Sequence, residues 1–427
     1  LPTCGTPARH RGGSGDRCPM RCRHCRDTLV STFVDLGSSP PSNAYLTAGR
    51  MAGPETWYPL RVMVCDNCRL VQTEDFAAAD ELFDAEYAYF SGFSSTWVAH
   101  CERYATEMTG RFGLDAGSRV VEVASNDGTL LQFFHERGMQ CTGIEPTAST
   151  ASAARGLGLH VLEEFLTRTS ADRLVSEGLV ADLLVANNVV AHVPDIDDFV
   201  DACGRLLAPG GVVTFEFPHL LRLVAETQFD TIYHEHFSYL SLTVIRRIAG
   251  SVGLVVFDVE EIPTHGGSLR VFLQRADTGA HPPGVEVSML LSTEAEAGID
   301  GPDFYAGFQE RTDRIKDDLL RFLLEARRDG QTVVGYGAAA KGNTLLNYAG
   351  IRPDLLRFVV DQNPAKQGRY LPGSRIPIVP EDFLNEARPD HVLILPWNLR
   401  EEVEERLAYV RDWGATFATA IPELQVW

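Results

Sequence analysis

Two closely spaced pairs of cysteines constrain the fold of this sequence more than any other feature. Each pair has the spacing CxxC, and a CxxC turn can place two thiolates on one tetrahedral ion. Two such turns complete a shell of four sulfur atoms with no open coordination position, so the sequence predicts a structural zinc ion in a small N-terminal lobe. The predicted ligands are Cys22, Cys25, Cys65 and Cys68. Cys18 and His24 are spare candidates, but the matched gaps favour the two pairs.

The charge and hydropathy of the chain limit its partners. With 58 acidic and 38 basic side chains the formal charge is -20, which argues against a nucleic acid, because phosphate backbones are bound by clustered Lys and Arg. No apolar run reaches the roughly 20 residues of a membrane helix, and residues 1–30 contain no secretory signal. We therefore expect a cytoplasmic protein that binds neither nucleic acid nor membrane.

A strand followed by a glycine turn opens the middle of the chain. An apolar run at 119–124 leads into a turn that contains Gly128, and an apolar-periodic helix follows. Open α/β sheets bind ligands at such turns, and an acid that ends the next strand, here Glu145, can accept both hydroxyls of a ribose. Only one glycine stands where a dinucleotide fingerprint needs three, and the pattern looks like the glycine loop of a Rossmann-like methyltransferase. The residues predicted to bind S-adenosylmethionine are Glu122, Ser125, Asn126, Asp127, Gly128, Glu145, Asn187 and Asn188.

The segment TIYHEHFSY at 231–239 is the least core-like stretch of the sequence. Histidine titrates near neutral pH, and a neighbouring carboxylate can orient it or hold its charge, so the segment suits proton transfer. In an extended loop His234 and His236 would point to opposite sides, and only one of them would then face a substrate. A second metal site and hydrogen-bonded structural histidines are the alternatives, although the spacing is not the HExxH of zinc peptidases.

A second glycine turn opens the C-terminal part of the chain, at 334–344. It begins with GxG and continues with small residues into a helix whose N-terminal amides can bind a phosphate, and Lys341 could add a positive charge. The turn departs from a Walker A loop, which argues against ATP. Asp361 ends the next strand, so the spacing is also compatible with NAD. A turn without a ligand, left from a duplicated fold, is the third interpretation.

Six motifs in order carry a specific resemblance. Besides the four cysteines they are DLGSSPPSN at 35–43, YAYFS at 87–91, VEVASNDG at 121–128, YHEHF at 233–237 and GYGAAAKG at 335–342. Together they resemble the sugar 3-C-methyltransferases of deoxysugar biosynthesis in antibiotic pathways. The resemblance extends from residue 22 to the end of the chain.

This resemblance implies methylation at C3 of a thymidine-diphosphate-linked (TDP-linked) 4-keto-deoxysugar that carries a 3-amino or a 3-hydroxy group. His236 matches the position of the general base that would remove the C3 proton, and Glu235 lies beside it in a binding or orienting role. Other positions match aromatic hydroxyls and a histidine near the sugar. The implied catalytic residues are His236, Tyr233, Glu235, Tyr87 and His192. The residues expected to contact the sugar nucleotide are Tyr89, Gly337, Lys341 and Asn343.

The predicted fold is α/β with three parts. Residues 1–80 form the zinc-binding lobe with a disordered tail, residues 81–300 form a Rossmann-like methyltransferase domain, and residues 301–427 form a second Rossmann-like domain. Strands that alternate with helices imply a parallel sheet in each of the two larger parts. Two other functions remain open: a NAD-dependent oxidoreductase or epimerase that acts on sugar nucleotides, and a non-catalytic zinc-ribbon binding protein.

Overall fold

A computed structural model describes residues 20–76, 92 and 95–427 of the chain. The expected tail at 1–17 and the two tyrosines Tyr87 and Tyr89 lie outside these residues, and so does the spare candidate Cys18.

The N-terminal lobe is built on a four-stranded antiparallel sheet in the order β1-β2-β3-β9. Its first three strands carry apolar side chains inward, and its fourth strand comes from the middle of the chain. The strands are β1 (Ser31–Ser39), β2 (Tyr58–Val64), β3 (Val71–Thr73) and β9 (Ser238–Tyr239). Because β9 forms the end of the histidine-rich segment at 231–239, the lobe is hydrogen-bonded to the predicted catalytic loop.

The middle of the chain forms a seven-stranded sheet in the order β10-β11-β8-β7-β4-β5-β6. Its inner strands are buried on both faces, as expected of a sheet covered by helices. The strands are β4 (Arg119–Val123), β5 (Gln140–Ile144), β6 (His160–Leu162), β7 (Ala181–Asn187), β8 (Leu207–Pro218), β10 (Leu254–Ile262) and β11 (Ser268–Arg275). The helices are α1 (Ser95–Phe112), α2 (Leu131–His135), α3 (Ala148–Gly156), α4 (Arg168–Ser176), α5 (Ile196–Leu206), α6 (Leu220–Ala225), α7 (Leu242–Ser251) and α8 (Val285–Glu296). The order reverses beside β4, so β4 and β7 define the crevice in which such sheets bind ligands.

The C-terminal part forms a six-stranded sheet in the order β14-β13-β12-β15-β16-β17. The strands are β12 (Val333–Tyr336), β13 (Val359–Val360), β14 (Ile378–Val379), β15 (His391–Ile394), β16 (Thr416–Thr419) and β17 (Gln425–Val426). The helices are α9 (Phe308–Arg328), α10 (Ala340–Tyr348), α11 (Phe383–Ala387) and α12 (Arg400–Arg406). The predicted three-part α/β fold is confirmed.

The prediction of a parallel sheet in each larger part was wrong at two edges. Strand β11 is antiparallel to both β8 and β10, and β17 is antiparallel to β16. In both places the connection is too short for a crossover helix, since only residues 263–267 join β10 to β11 and residues 420–424 join β16 to β17. A parallel pair would need a dozen or more residues, so a hairpin is the remaining solution.

Among the helices of the described residues, none combines the length and the hydrophobicity that crossing a bilayer requires.

Candidate active site

The four predicted zinc ligands converge at one end of the lobe. Their sulfur atoms all lie within 4.8 Å of one another, and Cys22 and Cys68, like Cys25 and Cys65, are 3.4 Å apart. A tetrahedral zinc ion with Zn–S bonds of about 2.3 Å would separate its sulfur atoms by about 3.8 Å. The cluster therefore fits the ion with small shifts of the side chains. All four tetrahedral positions are taken by sulfur, which assigns the ion a structural role.

Neighbouring groups hold the ligands in place. The Gln72 side chain donates to Cys22 Sγ at 3.3 Å and accepts from the backbone N–H of Arg23 at 2.9 Å. The imidazole of His24 points away from the cluster, because its Nδ1 lies 2.7 Å from Asp197 Oδ1. This spare candidate is thus engaged elsewhere.

The turn after β4 has an unusual backbone. Ala124, Asn126 and Gly128 all have positive φ, at 52°, 50° and 82°. A Cβ built at Gly128 would overlap Leu159 Cδ1, so only glycine lets the turn pack against the neighbouring helix and strand. Strain of this kind concentrates where backbone groups are arranged for a ligand.

Glu145 organises the turn from the end of β5. Its Oε2 accepts the N–H of Asn126 at 2.9 Å and its Oε1 accepts the N–H of Thr147 at 2.8 Å. The carboxylate therefore lies at the crevice edge with one lone-pair direction left on each oxygen. Two hydroxyls of a ribose can use such acceptors.

Three polar side-chain atoms in this crevice have no hydrogen-bond partner within the described residues: Glu122 Oε2, Ser125 Oγ and Asn187 Oδ1. Burial, together with the carboxyls of Asp127 and Glu145, raises the pKa of Glu122 well above its usual value. Buried polar atoms are normally satisfied, so orphaned ones at one site indicate a missing polar ligand. The crevice fits S-adenosylmethionine, whose ammonium, carboxylate, ribose and adenine groups offer donors and acceptors to these residues.

A buried ionic network that the sequence did not suggest borders the crevice. Glu216 pairs with Asn187 in the register of β8 and β7, and its carboxylate contacts His100 Nε2 at 2.9 Å and Arg270 Nε at 2.6 Å. Burial alone would raise the pKa of Glu216, but the His100 hydrogen bond and the Arg270 charge hold it below its usual value. Trp97 stacks on His100 with ring centroids 5.0 Å apart. A fixed charge pair thus lies beside the strand end that carries Asn187 and Asn188.

The histidine-rich segment orients the imidazole of His236, the predicted base. Its Nδ1 lies 2.7 Å from the carbonyl oxygen of Thr231, so Nδ1 carries the proton and Nε2 keeps its lone pair. Burial, followed by the charge of His192, lowers the pKa of His236 well below its usual value. The imidazole is therefore neutral, and able to accept a proton, at neutral pH.

The two residues before His236, which are Glu235 and His234, contact different groups. Both carboxylate oxygens of Glu235 accept from Asn43 Nδ2, at 2.9 and 2.7 Å, and burial raises the pKa of Glu235 to about 7. His234 faces the lobe, where its Nε2 lies 3.2 Å from the carbonyl oxygen of Pro59. The rings of His234 and His236 thus point apart. His236 is oriented by a backbone carbonyl, while Glu235 is held by the lobe.

His192 and Tyr233 flank the base. The ring centroids of His192 and His236 are 4.5 Å apart in an edge-on arrangement, and those of Tyr233 and His236 are 4.0 Å apart. His192 is hydrogen-bonded to the backbone of Glu235. Both side chains are partly exposed, whereas His236 is buried, and we call the surface that these three side chains share the cleft.

The C-terminal glycine turn contributes one charged group to this cleft. Lys341 Nζ donates to Asn398 Oδ1 at 3.0 Å and to the carbonyl oxygen of His265 at 3.3 Å, and it lies over the ring of Trp397. Burial lowers the pKa of Lys341, against the opposing effect of Asp230.

The other two residues of this turn that were expected to bind the sugar nucleotide are packed. Asn343 is 1% exposed and donates to the carbonyl oxygen of Ser42 at 2.8 Å. A Cβ at Gly337 would lie 2.6 Å from Pro396 Cδ. Of the three residues, Lys341 alone presents a charge to the cleft.

Asp230 ties the C-terminal part to the base. It precedes Thr231, its Oδ2 accepts Trp397 Nε1 at 2.8 Å, and burial raises its pKa to about 6. The contact joins residues far apart in sequence, and no local pattern marks it. The surroundings of His236 thus include side chains that only the fold brings together.

The comparisons with known proteins agree with this architecture. A family of zinc binding domains matches residues 22–83, a methyltransferase domain family matches residues 97–259, and a C-methyltransferase C-terminal domain family matches residues 263–422. C-methyltransferase NovU from Streptomyces niveus is 34% identical over 405 residues, which make up 95% of this chain and 96% of that protein.

More distant similarities cover the middle of the chain. A ubiquinone biosynthesis O-methyltransferase from Nitrobacter winogradskyi is 33% identical over 100 residues, 23% of this chain and 38% of that protein. The crystal structure of an S-adenosylmethionine-dependent methyltransferase from Clostridium acetobutylicum matches 43% of this chain and 92% of its own, at 11% identity and a TM-score of 0.35. The chain, matched by three family models in succession and by a C-methyltransferase over nearly its whole length, belongs to the S-adenosylmethionine-dependent C-methyltransferases with an N-terminal zinc-binding domain.

Proposed function

We propose that this C-methyltransferase transfers a methyl group to C3 of a TDP-linked 4-keto-deoxysugar with a 3-amino or 3-hydroxy group. The proposal rests on His236, a neutral imidazole that the Thr231 carbonyl orients and that packs edge-on against His192. Methyl transfer from a sulfonium to carbon needs a nucleophilic carbon such as that of an enolate, and the carbonyl at C4 acidifies the adjacent C3–H bond so that a base can form one. The motifs quoted above support the sugar nucleotide as substrate.

Each residue of the proposed site has its own role in the methyl transfer. His236 Nε2 accepts the C3 proton, and the carbonyl of Thr231 stabilises the imidazolium that results. Tyr233 and His192 flank the sugar, together with Tyr87 if it reaches the cleft. The hydrogen bond between Asn43 and Glu235 holds the histidine-rich segment in place. The crevice residues, Asn187 and Asn188 among them, would hold S-adenosylmethionine, which would supply the electrophilic methyl carbon.

We further propose that the sugar nucleotide lies between the seven-stranded sheet and the C-terminal part, with Tyr89 and Lys341 as contacts. The ammonium group of Lys341 has one N–H beyond its two hydrogen bonds to His265 and Asn398. It can therefore meet an anionic oxygen of the substrate. Gly337 and Asn343 would act by shaping the wall behind it, since both are packed.

The C-terminal glycine turn, where NAD is the alternative ligand, is held by protein side chains. Asp361 accepts the N–H of Ala338 at 2.7 Å, as a ribose-binding acid would be placed. The carbonyl of Ala338 accepts from Tyr45 Oη at 2.6 Å and from Lys366 Nζ at 2.9 Å. The similarity to C-methyltransferases, rather than these contacts, favours a sugar nucleotide over NAD beside this turn.

The test is methyl transfer from S-[methyl-13C]adenosylmethionine to TDP-4-keto-6-deoxyhexoses that carry either a 3-amino or a 3-hydroxy group. We expect one labelled methyl group, placed on C3 by carbon–proton correlation NMR, and His236→Asn should abolish its transfer while it leaves S-adenosylhomocysteine binding nearly intact. C5 also neighbours the C4 carbonyl, so a methyl group on C5 would contradict the assigned position. No incorporation with any keto sugar nucleotide would contradict the proposal as a whole.

A further inference from the structure

His265 occupies the tip of the hairpin between β10 and β11, in the loop 263–267. Strand β11 runs antiparallel to β8, and its first residue Ser268 pairs with Pro218 at the carboxyl end of β8. The loop therefore lies at the edge of the sheet where the crevice binds its ligand, close to Glu216 and Asn187.

The backbone of His265 is in the left-handed region, with φ 57° and ψ 20°. A non-glycine residue adopts this conformation at a cost, and such residues cluster at functional sites. The C-terminal part holds the conformation: Lys341 donates to the His265 carbonyl, and a Cβ at Gly266 would overlap the ring of Trp397. Contacts from the C-terminal part thus hold the strained conformation of His265.

The imidazole of His265 is placed among the reactive groups. Lys341, Glu216, His100 and His192 all act on it electrostatically, and it in turn acts on His236. Its ring lies 6.0 Å from that of Trp97 and is partly exposed to the cleft. Within the described residues, no hydrogen bond to either ring nitrogen is formed, whereas His236, His100 and His192 are each held by one.

Burial, followed by the charge of Lys341, lowers the pKa of His265 to about 4. The ring is therefore neutral at physiological pH and presents one N–H donor. A neutral imidazole can polarise a carbonyl without giving up its proton, as enolising enzymes do elsewhere.

We propose that His265 is a further catalytic residue, whose imidazole N–H donates a hydrogen bond to the carbonyl oxygen of the substrate and holds the enolate oxygen that forms there. The inference rests on the proposed function, since it requires a keto substrate in the cleft. It assigns the base and the oxyanion donor to opposite sides: His236 comes from the segment bound to the zinc lobe, and His265 from the hairpin bound to the C-terminal part.

The electrons balance in two steps. His236 Nε2 takes the proton from C3, the C–H bonding pair becomes the C3=C4 double bond, and the carbonyl π pair moves to the oxygen held by His265. The pair on the enolate oxygen then returns and re-forms the C4=O bond, while the C3=C4 pair forms the bond from C3 to the methyl carbon of the sulfonium. The S–C bond breaks as this bond forms, and its pair stays on sulfur. His265 keeps its proton throughout.

The test is solvent exchange at the substrate carbon. Full-length zinc-loaded protein, saturated with S-adenosylhomocysteine, is incubated with the TDP-4-keto sugar in D2O, and loss of the C3 proton is followed by NMR. His265→Gly removes the imidazole and tolerates the positive φ, and His265→Asn tolerates it while keeping an N–H donor. Arg388→Gly is the matched control, because Arg388 also has positive φ, at 41°, and is exposed at the end of α11.

We expect exchange and kcat to fall by about 10²-fold or more in His265→Gly, the usual effect of losing one oxyanion donor. His265→Asn should recover part of the loss, Arg388→Gly should match the unmodified protein, and KM for the sugar nucleotide should change by less than about threefold.

Exchange that persists unchanged in His265→Gly would overturn the role of His265 while leaving the proposed function standing. A loss confined to KM would also overturn it, since that result would mean ground-state binding alone. If the unmodified protein exchanges no proton of any keto sugar nucleotide, the proposed function itself fails and the assignment fails with it.

Discussion

At the scale of single residues, the protonation state of His236, the proposed base, should decide the pH range in which the enzyme works. The base must be neutral, and burial with the neighbouring His192 lowers its pKa below the usual 6.5. Because a lowered pKa keeps the base unprotonated to lower pH, kcat/KM should keep its full value as the pH falls to 6.5 and drop only below it. A profile of kcat/KM from pH 5 to 8 measures this, and an acid limb centred above pH 6.5 would contradict the orientation of His236.

Glu235 should make the folded protein less stable as the pH rises. Its pKa is raised from 4.5 to about 7 in the fold, so it binds a proton that the unfolded chain has lost. Its contribution to stability is full below pH 4.5 and is lost as the pH rises through 7, by roughly 3 kcal/mol at most.

Glu235→Gln keeps one acceptor for Asn43 and never ionises. Its unfolding midpoint should therefore fall less than that of the unmodified protein between pH 5 and pH 8 in thermal denaturation. Equal pH dependence of the two proteins would show that Glu235 is not the titrating group.

At the scale of elements, the turn after β4 depends on one glycine. Gly128→Ala would combine a positive φ with an overlap on Leu159, and we expect a loss of about 1–3 kcal/mol in stability beyond the backbone cost, with weaker S-adenosylhomocysteine binding. Gly158→Ala is the control, since Gly158 has φ 84° and open space around its Cβ position. Denaturant unfolding and calorimetry measure both variants. Equal effects of the two substitutions would refute the packing argument.

Local sequence patterns predicted some structural features and missed others. The CxxC spacing located all four zinc ligands, and hydrophobic runs located β4, β7 and β8, because spacing and burial leave periodic marks. The pairing of β3 with β9, the Asn43–Glu235 contact and the position of His265 leave no such mark. Each joins segments far apart in the chain, and only the packed fold brings them together.

The end of strand β13 agrees closely with the sequence. The sequence predicts that Asp361 ends the strand after the second glycine turn, and the strand that pairs with β12 is Val359–Val360, which ends one residue earlier. The side chain of Asp361 accepts the backbone N–H groups of Ala338 and Asn363. An acid at the end of an apolar run is a local signal, and the sequence alone therefore located this strand end.

At the scale of the whole molecule, the zinc ion acts on catalysis through the fold. The lobe reaches the predicted base through the β3–β9 pairing and the Asn43–Glu235 contact, whereas the hydrogen bonds of the crevice residue Glu145 go to Asn126 and Thr147. Chelation or Cys65→Ser should therefore lower kcat strongly and leave S-adenosylhomocysteine affinity within about threefold.

Metal analysis, methyl-transfer assays and calorimetry on the same samples check this, with Cys141→Ser as the control cysteine outside the cluster. Loss of S-adenosylhomocysteine binding in step with zinc would mean that the lobe supports the whole molecule rather than the base.

The central claim is that one cleft joins a cofactor crevice on the seven-stranded sheet to a separate sugar-nucleotide site beside the C-terminal part. Calorimetric titration of folded, zinc-loaded protein with S-adenosylhomocysteine, with and without saturating thymidine diphosphate, tests it most directly. We expect each ligand to bind one site, and neither ligand to displace the other. Mutual displacement would contradict the two-site arrangement, and failure to bind S-adenosylhomocysteine would contradict the assignment of the crevice.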